Sequence, residues 1–156
     1  MPGLSREKLL LNPDYRDILS VFAEEGVKYL LVGAYALAVH GHVRATGDID
    51  LWVECNRENA TRIMAALERF GAPLHQVEMR DFVTPGIVFQ IGVAPRRIDI
   101  LTAIDAVDFE AAWSEREEVE IAGLKVPVIS RQHLLQNKRA TGRPQDQADA
   151  QWLERE

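Results

Sequence analysis

The segment Asp-Ile-Asp-Leu-Trp-Val at positions 48–53 alternates between two faces and therefore predicts a β-strand. Side chains two positions apart in a strand point to the same face, so Asp48 and Asp50 project together. Ile49 and Leu51 then point the other way, into a core. Two like charges side by side on a half-buried surface are destabilising, and a bound divalent cation would remove that cost. The segment thus predicts a half-exposed sheet with a candidate cation site.

A second strand-like segment, Ile98-Asp99-Ile100, again places one carboxylate between two apolar residues of the opposite face. If this strand lies beside the first, Asp99 completes a cluster of three carboxylates with Asp48 and Asp50. Oxygen-only ligands of this kind suit Mg²⁺ or Mn²⁺ better than zinc, and such a cluster can bridge two metal ions. The alternative interpretation is a solvated rim at a strand end.

The remaining apolar pattern predicts the architecture. Strand-like runs lie at 28–32, 48–53, 86–91 and 97–101, and a hairpin is predicted over 117–128. Helical patterns lie at 13–25, 34–40, 57–70, 105–113, 131–141 and 144–152. Strands separated by helices, together with adjacent hairpins, predict an α/β (α+β) fold with a mixed sheet and helices packed against it. Since no linker interrupts the chain, we expect one domain over residues 1–156.

Composition excludes several classes of protein. The chain of 156 residues is 47% hydrophobic and 27% charged, which is typical of a soluble globular domain. Its single cysteine, Cys55, excludes an internal disulfide framework and favours a reducing, cytoplasmic compartment. No apolar run is long enough for a membrane span. A net charge of −6 argues against binding nucleic acid by charge alone, and seven acids and one Arg between Asp105 and Glu120 indicate a solvated acidic face.

The turn Gly33-Ala34-Tyr35 joins a predicted strand to a predicted helix. The first backbone N–H groups of such a helix lack partners and can bind an anion, and a small residue lets a phosphate approach the backbone closely. The turn matches neither the dinucleotide-binding nor the P-loop pattern. It is therefore a candidate phosphate site only in combination with the carboxylates.

These elements in this order resemble the nucleotidyltransferase superfamily related to DNA polymerase β. The family's pattern is a strand, a Gly followed by Gly or Ser, a helix, an Asp-x-Asp strand and a later single carboxylate on a neighbouring strand. The stretch GAYALAVHGHVRATGDIDLWV, together with the terminal NKRATGRPQDQADAQWL, is more closely similar to the small bacterial nucleotidyltransferases akin to AbiEii toxins of toxin–antitoxin systems. The resemblance covers about residues 28–153 and implies the nucleotidyltransferase-like fold.

The resemblance implies a two-metal transfer of a nucleoside monophosphate from an NTP to an RNA or protein acceptor, with Mg²⁺ or Mn²⁺ as cofactor. Asp48 and Asp50 would ligate the metals, and Asp99 would hold the metal at the attacking hydroxyl. Gly33 and the backbone beside it would hold the triphosphate, and a toxin or antitoxin protein is a possible partner. Ala34 departs from the family pattern because it lacks the hydroxyl of a Ser. Tyr35 could supply a hydroxyl instead or could simply pack.

A basic stretch near the end of the chain contains four Lys or Arg residues and no acid over positions 131–143. Lys138 and Arg143 could bind triphosphate oxygens, as a point charge and a fork respectively. Alternatively, Lys138 only complements a helix C-terminus. Arg44 could contact the nucleotide or cap its loop, and Asp146 could orient Lys138 or Arg143.

Two further functional hypotheses remain open on the sequence. Ala34 and the small size of the chain are compatible with a catalytically weak or inactive family member that binds a nucleotide or a protein partner, as an antitoxin would. The same carboxylates could also serve a metal-dependent nuclease, although the chain lacks a nearby Glu-x-Lys signature.

Overall fold

The computed structural model describes residues 11–43, 47–93 and 95–155. Within these ranges the chain forms six α-helices and six β-strands. The helices are α1 (Pro13–Glu24), α2 (Gly33–Val39), α3 (Arg57–Phe70), α4 (Phe109–Ser114), α5 (Arg131–Thr141) and α6 (Pro144–Arg155). The strands are β1 (Tyr29–Val32), β2 (Ile49–Val53), β3 (Val88–Ile91), β4 (Ile98–Leu101), β5 (Glu117–Ile121) and β6 (Leu124–Val128).

The strands form one mixed sheet in the order β3-β4-β2-β1-β6-β5. Strand β2 pairs parallel with β4 and antiparallel with β1, while β1 pairs parallel with β6. Strands β3 and β4 also pair antiparallel, as do β5 and β6. The predicted α/β (α+β) fold with a mixed sheet is therefore confirmed, and these last two pairs, each of strands adjacent in the sequence, are the predicted hairpins.

Three helices begin directly after an Asn or Ser whose side chain caps the first turn. The Oδ1 atoms of Asn12 and Asn56 accept hydrogen bonds from the backbone N–H groups of Tyr15 and Asn59, at 2.9 and 2.8 Å. Ser130 Oγ accepts one from His133 N–H at 3.1 Å. Each bond satisfies a backbone donor that the first turn of a helix leaves unpaired, so the local sequence alone fixes where α1, α3 and α5 begin.

The core lies on the sheet face that the apolar alternation predicts. Ile49 and Leu51 of β2, together with Ile100 of β4, are fully buried and belong to one apolar cluster. The cluster also includes the buried faces of α1 and α3. Since successive strand residues alternate, Asp50 and Asp99 lie on the opposite face. No helix in the described ranges is long and apolar enough to cross a membrane.

The segment before α4 differs from its prediction. The helical pattern over 105–113 becomes a helix only at Phe109, because Asp108 caps it by accepting a hydrogen bond from Ala111 N–H at 3.1 Å. Ile104 and Val107 instead form an isolated bridge, and Ala106 adopts a positive φ of 65°. Two short 3₁₀-helices, Leu74–Gln76 and Met79–Val83, were also missed, since turns this short carry no periodic signal.

Candidate active site

The parallel pairing of β2 with β4 brings two of the predicted carboxylates together. Asp50 and Asp99 are direct register partners, so their side chains point to the same face of adjacent strands. Asp48 immediately precedes β2, and all three carboxylates line one cavity of about 710 Å³. The condition set by the sequence, that the second acidic strand lies beside the first, is met.

An arginine that the sequence does not single out joins two of these carboxylates. Arg97 Nε lies 2.7 Å from Asp99 Oδ1, and Arg97 Nη2 lies 3.1 Å from Asp99 Oδ2. The same Nη2 lies 3.0 Å from Asp48 Oδ2, and the Arg97 backbone N–H donates to Asp48 Oδ1 at 3.4 Å. The guanidinium thus supplies one positive charge to both carboxylates. Its position two residues before Asp99, on the same strand face, is the signal that could have identified it.

Asp50 has a different electrostatic environment. Burial raises its pKa to about 7, and the neighbouring charges of Asp99 and Asp48 and a hydrogen bond with Asp99 add to the effect. Lys138 lowers it only in part. A carboxyl with this pKa is partly protonated at neutral pH, so it donates a hydrogen bond to Asp99 and carries less than a full charge.

The strand-to-helix turn lies directly against Asp50. Gly33 has a φ of +71°, and a Cβ built there would overlap the Asp50 carboxylate. Both Gly33 and Ala34 line the cavity. Tyr35 lies elsewhere: its ring packs edge-on against Tyr15, with centroids 5.7 Å apart. The Tyr35 ring therefore packs in this structure, and the alternative role of its hydroxyl stays a prediction.

Tyr15 and Gly47, two residues without a sequence signal, hold the segments that precede β2 and β4. The buried Tyr15 hydroxyl donates to the Gly47 carbonyl and lies 3.1 Å from the Arg97 carbonyl. A Cβ at Gly47 would overlap the backbone of Pro95, so a glycine permits this close approach. These contacts fix the backbone that carries Asp48 and Arg97.

The basic residues of the terminal segment bind acids of the next helix. Lys138 is only 6% exposed, and its Nζ lies 3.1 Å from Asp146 Oδ1 and 3.2 Å from Asp149 Oδ2. Arg143 Nε lies 2.7 Å from Asp146 Oδ2, but its side chain is 75% exposed. Asp146 thus contacts both cations, and Lys138 and Arg143 both line the cavity.

Asp146 is ionised in this arrangement. Its burial would raise its pKa, but hydrogen bonds from Thr141, Arg143 and Lys138 outweigh burial and lower the pKa to about 2. The charge of Lys138 is therefore matched by buried carboxylates, whereas the guanidinium of Arg143 extends towards solvent. Arg44 lies outside the described residues.

The donor set suits a hard divalent cation, because it offers carboxylate oxygens and already accommodates a positive charge between Asp48 and Asp99. Among residues 11–43, 47–93 and 95–155, no group of three or more His, Cys, Asp or Glu side chains is arranged to hold a metal ion. Arg97 lies between two of the oxygen donors, so a cation that used both would have to replace its guanidinium.

Comparisons with known proteins identify the fold. No protein-family model and no curated protein sequence matches the chain. Among solved structures, TM1012 of Thermotoga maritima, provisionally called a nucleotidyltransferase, is 20% identical with a TM-score of 0.60, covering 96% of this chain and 98% of its own. Lincosamide antibiotic adenylyltransferase LnuA with bound lincomycin is 19% identical with a TM-score of 0.58, covering 93% and 97%.

A third structure, ANT(2")-Ia in complex with adenylyl-2"-tobramycin, is 17% identical with a TM-score of 0.55 and covers 89% of this chain and 84% of its own. At these identities the likeness concerns the fold, which this chain shares with nucleotidyltransferases over almost its whole length. The nucleotidyltransferase-like fold expected from the sequence is thereby confirmed.

Proposed function

We propose that this protein transfers a nucleoside monophosphate from an NTP to a hydroxyl acceptor in a metal-dependent reaction. The observation that carries the proposal is the register pairing of Asp50 with Asp99 beside the Gly33 turn, on a fold shared with nucleotidyltransferases. Carboxylates and a tight turn in one cavity can serve a triphosphate and its counter-ions together.

The reaction balances without any further reactant. The acceptor oxygen bonds to the α-phosphorus of the NTP as the bond from that phosphorus to the bridging oxygen breaks, which releases pyrophosphate and the hydroxyl proton. Asp48, Asp50 and Asp99 would hold Mg²⁺ or Mn²⁺, which when bound neutralises phosphate charge and activates the acceptor hydroxyl. Asp99 orients that hydroxyl, and the Gly33 and Ala34 backbone and the exposed Arg143 bind the triphosphate.

The finer assignment rests on the sequence resemblance. It places the chain among the small AbiEii-like enzymes, acting in the cytoplasm with a toxin or antitoxin partner, and it implies an RNA or protein acceptor. The similar structures point to a different acceptor. LnuA is named as an adenylyltransferase of lincosamide antibiotics, and ANT(2")-Ia is in complex with adenylyl-2"-tobramycin.

A second candidate function is binding of a nucleotide or protein partner without transfer, as in an antitoxin-like member. Ala34 favours it, since this residue lines the cavity and has no hydroxyl for a phosphate. Nucleotide binding without transfer and nucleotidyl transfer both require the NTP to bind, and they differ in whether pyrophosphate is released.

The test measures NTP binding by calorimetry and pyrophosphate release with Mg²⁺ or Mn²⁺, for each of the four NTPs, with total RNA, a denatured protein or a small hydroxyl compound supplied as the acceptor. We expect Asp50→Asn and Asp99→Asn to lower release by at least about a hundredfold. Asp17→Asn, an exposed acid on α1, is the matched control and should leave release unchanged. NTP binding without release by the unmodified protein would favour the binding function. Nucleotide release from RNA without added NTP would favour the nuclease.

A further inference from the structure

The floor of the cavity continues from the carboxylates onto an apolar surface. In the paired strands, Gln90, Asp99 and Asp50 form one row across β3, β4 and β2. The next row on the same face pairs Val88 with Leu101. Ile104, which follows β4, also lines the cavity. We call Val88, Leu101 and Ile104 the apolar ledge.

The ledge is accessible although it is apolar. Val88 is 50% exposed on the edge strand β3, while its neighbour Phe89 points into the core and is buried. Leu101 and Ile104 are partly buried. Core packing therefore does not explain why Val88 is apolar. Apolar side chains exposed inside a cavity with a few polar groups are typical of a small-molecule site.

The charges around the ledge disfavour a polyanion. Ile104 is followed directly by an acid, Asp105. Asp105 is near enough to raise the pKa of Arg143, although the Asp146 hydrogen bond is the larger cause. Of the two cations that line this side of the cavity, Lys138 is buried against Asp146 and Asp149, and Arg143, which also contacts Asp146, is assigned to the triphosphate. A nucleic-acid acceptor would need free cations here, since phosphate contacts dominate its binding.

We propose that the apolar ledge binds the acceptor, and that the acceptor is a small hydroxyl compound with an apolar group and no negative charge. The inference rests on the proposed nucleotidyl transfer and names its substrate class. The acceptor hydroxyl lies by Asp99 while the apolar group covers Val88 and Leu101. The hydroxyl oxygen then bonds to the α-phosphorus, and pyrophosphate and a proton leave as above.

The binding test uses two neutral probes with the same sugar, methyl and hexyl β-D-glucoside, followed by backbone amide NMR of the full chain. We expect the hexyl probe to bind at least about tenfold more tightly, because its extra methylenes contact the ledge, and to shift the amides of β3 and β4. Val88→Asp should weaken its binding at least about tenfold. Val83→Asp, at another exposed valine that does not line the cavity, should change it less than twofold.

If Val88→Asp does not fold, as its amide spectrum would show, Val88→Ser replaces it with the same expected direction. Equal affinity of the two glucosides, amide shifts confined to other regions, or unchanged hexyl binding in the folded Val88 variant would each overturn the proposal.

The transfer test separates this inference from the proposed function. Labelled NTP and Mg²⁺ are supplied with hexyl glucoside, with total RNA or with a denatured protein, and mass spectrometry identifies the product. We expect a nucleotidylated glucoside that the Val88 variant no longer forms. The label could instead be transferred to RNA or protein at a rate that Val88→Asp leaves unchanged. This result would overturn the proposed acceptor site at the apolar ledge but retain the proposed nucleotidyl transfer. If the glucoside binds at the apolar ledge but no NTP binds, the proposed nucleotidyl transfer is overturned, and the ledge is retained as a ligand-binding site only.

Discussion

Arg97 binds Asp99 through two contacts, Nε to Oδ1 at 2.7 Å and Nη2 to Oδ2 at 3.1 Å, and so acts as a counter-ion within the carboxylate cluster. The same guanidinium reaches Asp48 at 3.0 Å. It therefore balances charges that would otherwise repel each other on adjacent strands. A divalent cation bound by the same oxygens would supply this charge instead.

Replacing this counter-ion should make the fold depend more on metal. We expect Arg97→Gln to lower the Tm of the metal-free protein, because Asp48 and Asp99 lose their shared positive charge. Mn²⁺ should then raise the Tm by more in Arg97→Gln than in the unmodified protein, since the ion no longer competes with a guanidinium. Thermal unfolding with and without Mn²⁺ measures both effects.

Arg69→Gln provides the control, because Arg69 also binds two carboxylates, Glu24 and Glu25, but on the surface away from the cavity. Its response to Mn²⁺ should equal that of the unmodified protein. An identical Mn²⁺ response in Arg97→Gln would show that the cation does not use the oxygens that Arg97 contacts.

The raised pKa of Asp50 predicts a pH dependence of stability. Its folded-state pKa of about 7 lies above the ordinary value of 3.8, so the folded chain binds this proton more tightly than the unfolded chain. The stabilising contribution is complete below pH 4 and is lost as the pH rises through 7. We expect the free energy of unfolding to lose roughly 2–4 kcal/mol over this range from Asp50 alone.

Urea unfolding in the presence of EDTA, compared between the unmodified protein and Asp50→Asn, isolates this contribution. The amide side chain of Asp50→Asn cannot ionise, so the stability of the variant should lack the pH dependence that Asp50 contributes. The difference in unfolding free energy between the two proteins should therefore change between pH 4 and 7. Parallel stability curves would show that Asp50 has an ordinary pKa.

The parts of the structure that the sequence predicts are those determined locally. Asn12, Asn56 and Ser130 cap their helices through neighbouring backbone groups, and the alternation in β2 and β4 sets which face is buried. The three carboxylates could be proposed because each interrupts an apolar pattern. Their convergence depended on a parallel pairing that only the sheet order supplies.

The parts that could not be predicted depend on contacts between distant residues. Arg97 contacts Asp48 across 49 positions, and the Tyr15 hydroxyl reaches Gly47 across 32. Tyr15 does not differ in local pattern from an ordinary core tyrosine. The position of Arg97 two residues before Asp99 indicates its contact with Asp99, but it does not indicate the contact with Asp48. The basic stretch around Lys138 predicts a phosphate contact or a helix C-terminal role for this residue. Its burial instead depends on where α6 places Asp146 and Asp149.

The contact between Gly33 and Asp50 predicts a steric effect that a matched glycine lacks. Gly33 and Gly26 both have a φ of +71°, but an added Cβ meets the Asp50 carboxylate at Gly33 and nothing within 4 Å at Gly26. Gly26→Ala should therefore cost about 1 kcal/mol, from backbone strain alone. Gly33→Ala should cost about 2–4 kcal/mol, because Asp50 must also move.

Chemical unfolding of the two variants, with amide NMR shifts of Asp50 and Asp99, distinguishes strain from displacement. Only Gly33→Ala should shift the amides of both aspartates. Equal losses of stability in the two variants would mean that the Asp50 side chain can move away without cost.

The buried position of Lys138 predicts a large structural effect and also tests its expected contact with phosphate. Lys138→Met would leave Asp146 and Asp149 buried without their shared ammonium, so we expect a loss of about 3–5 kcal/mol in unfolding free energy. Lys125→Met, at an exposed lysine of β6, should cost less than about 0.5 kcal/mol. Unfolding in urea and NTP calorimetry, carried out on both variants, separate the two roles. A Lys138 variant that keeps its stability but binds NTP at least about tenfold more weakly would make the ammonium a phosphate ligand rather than the ion that holds α5 to α6.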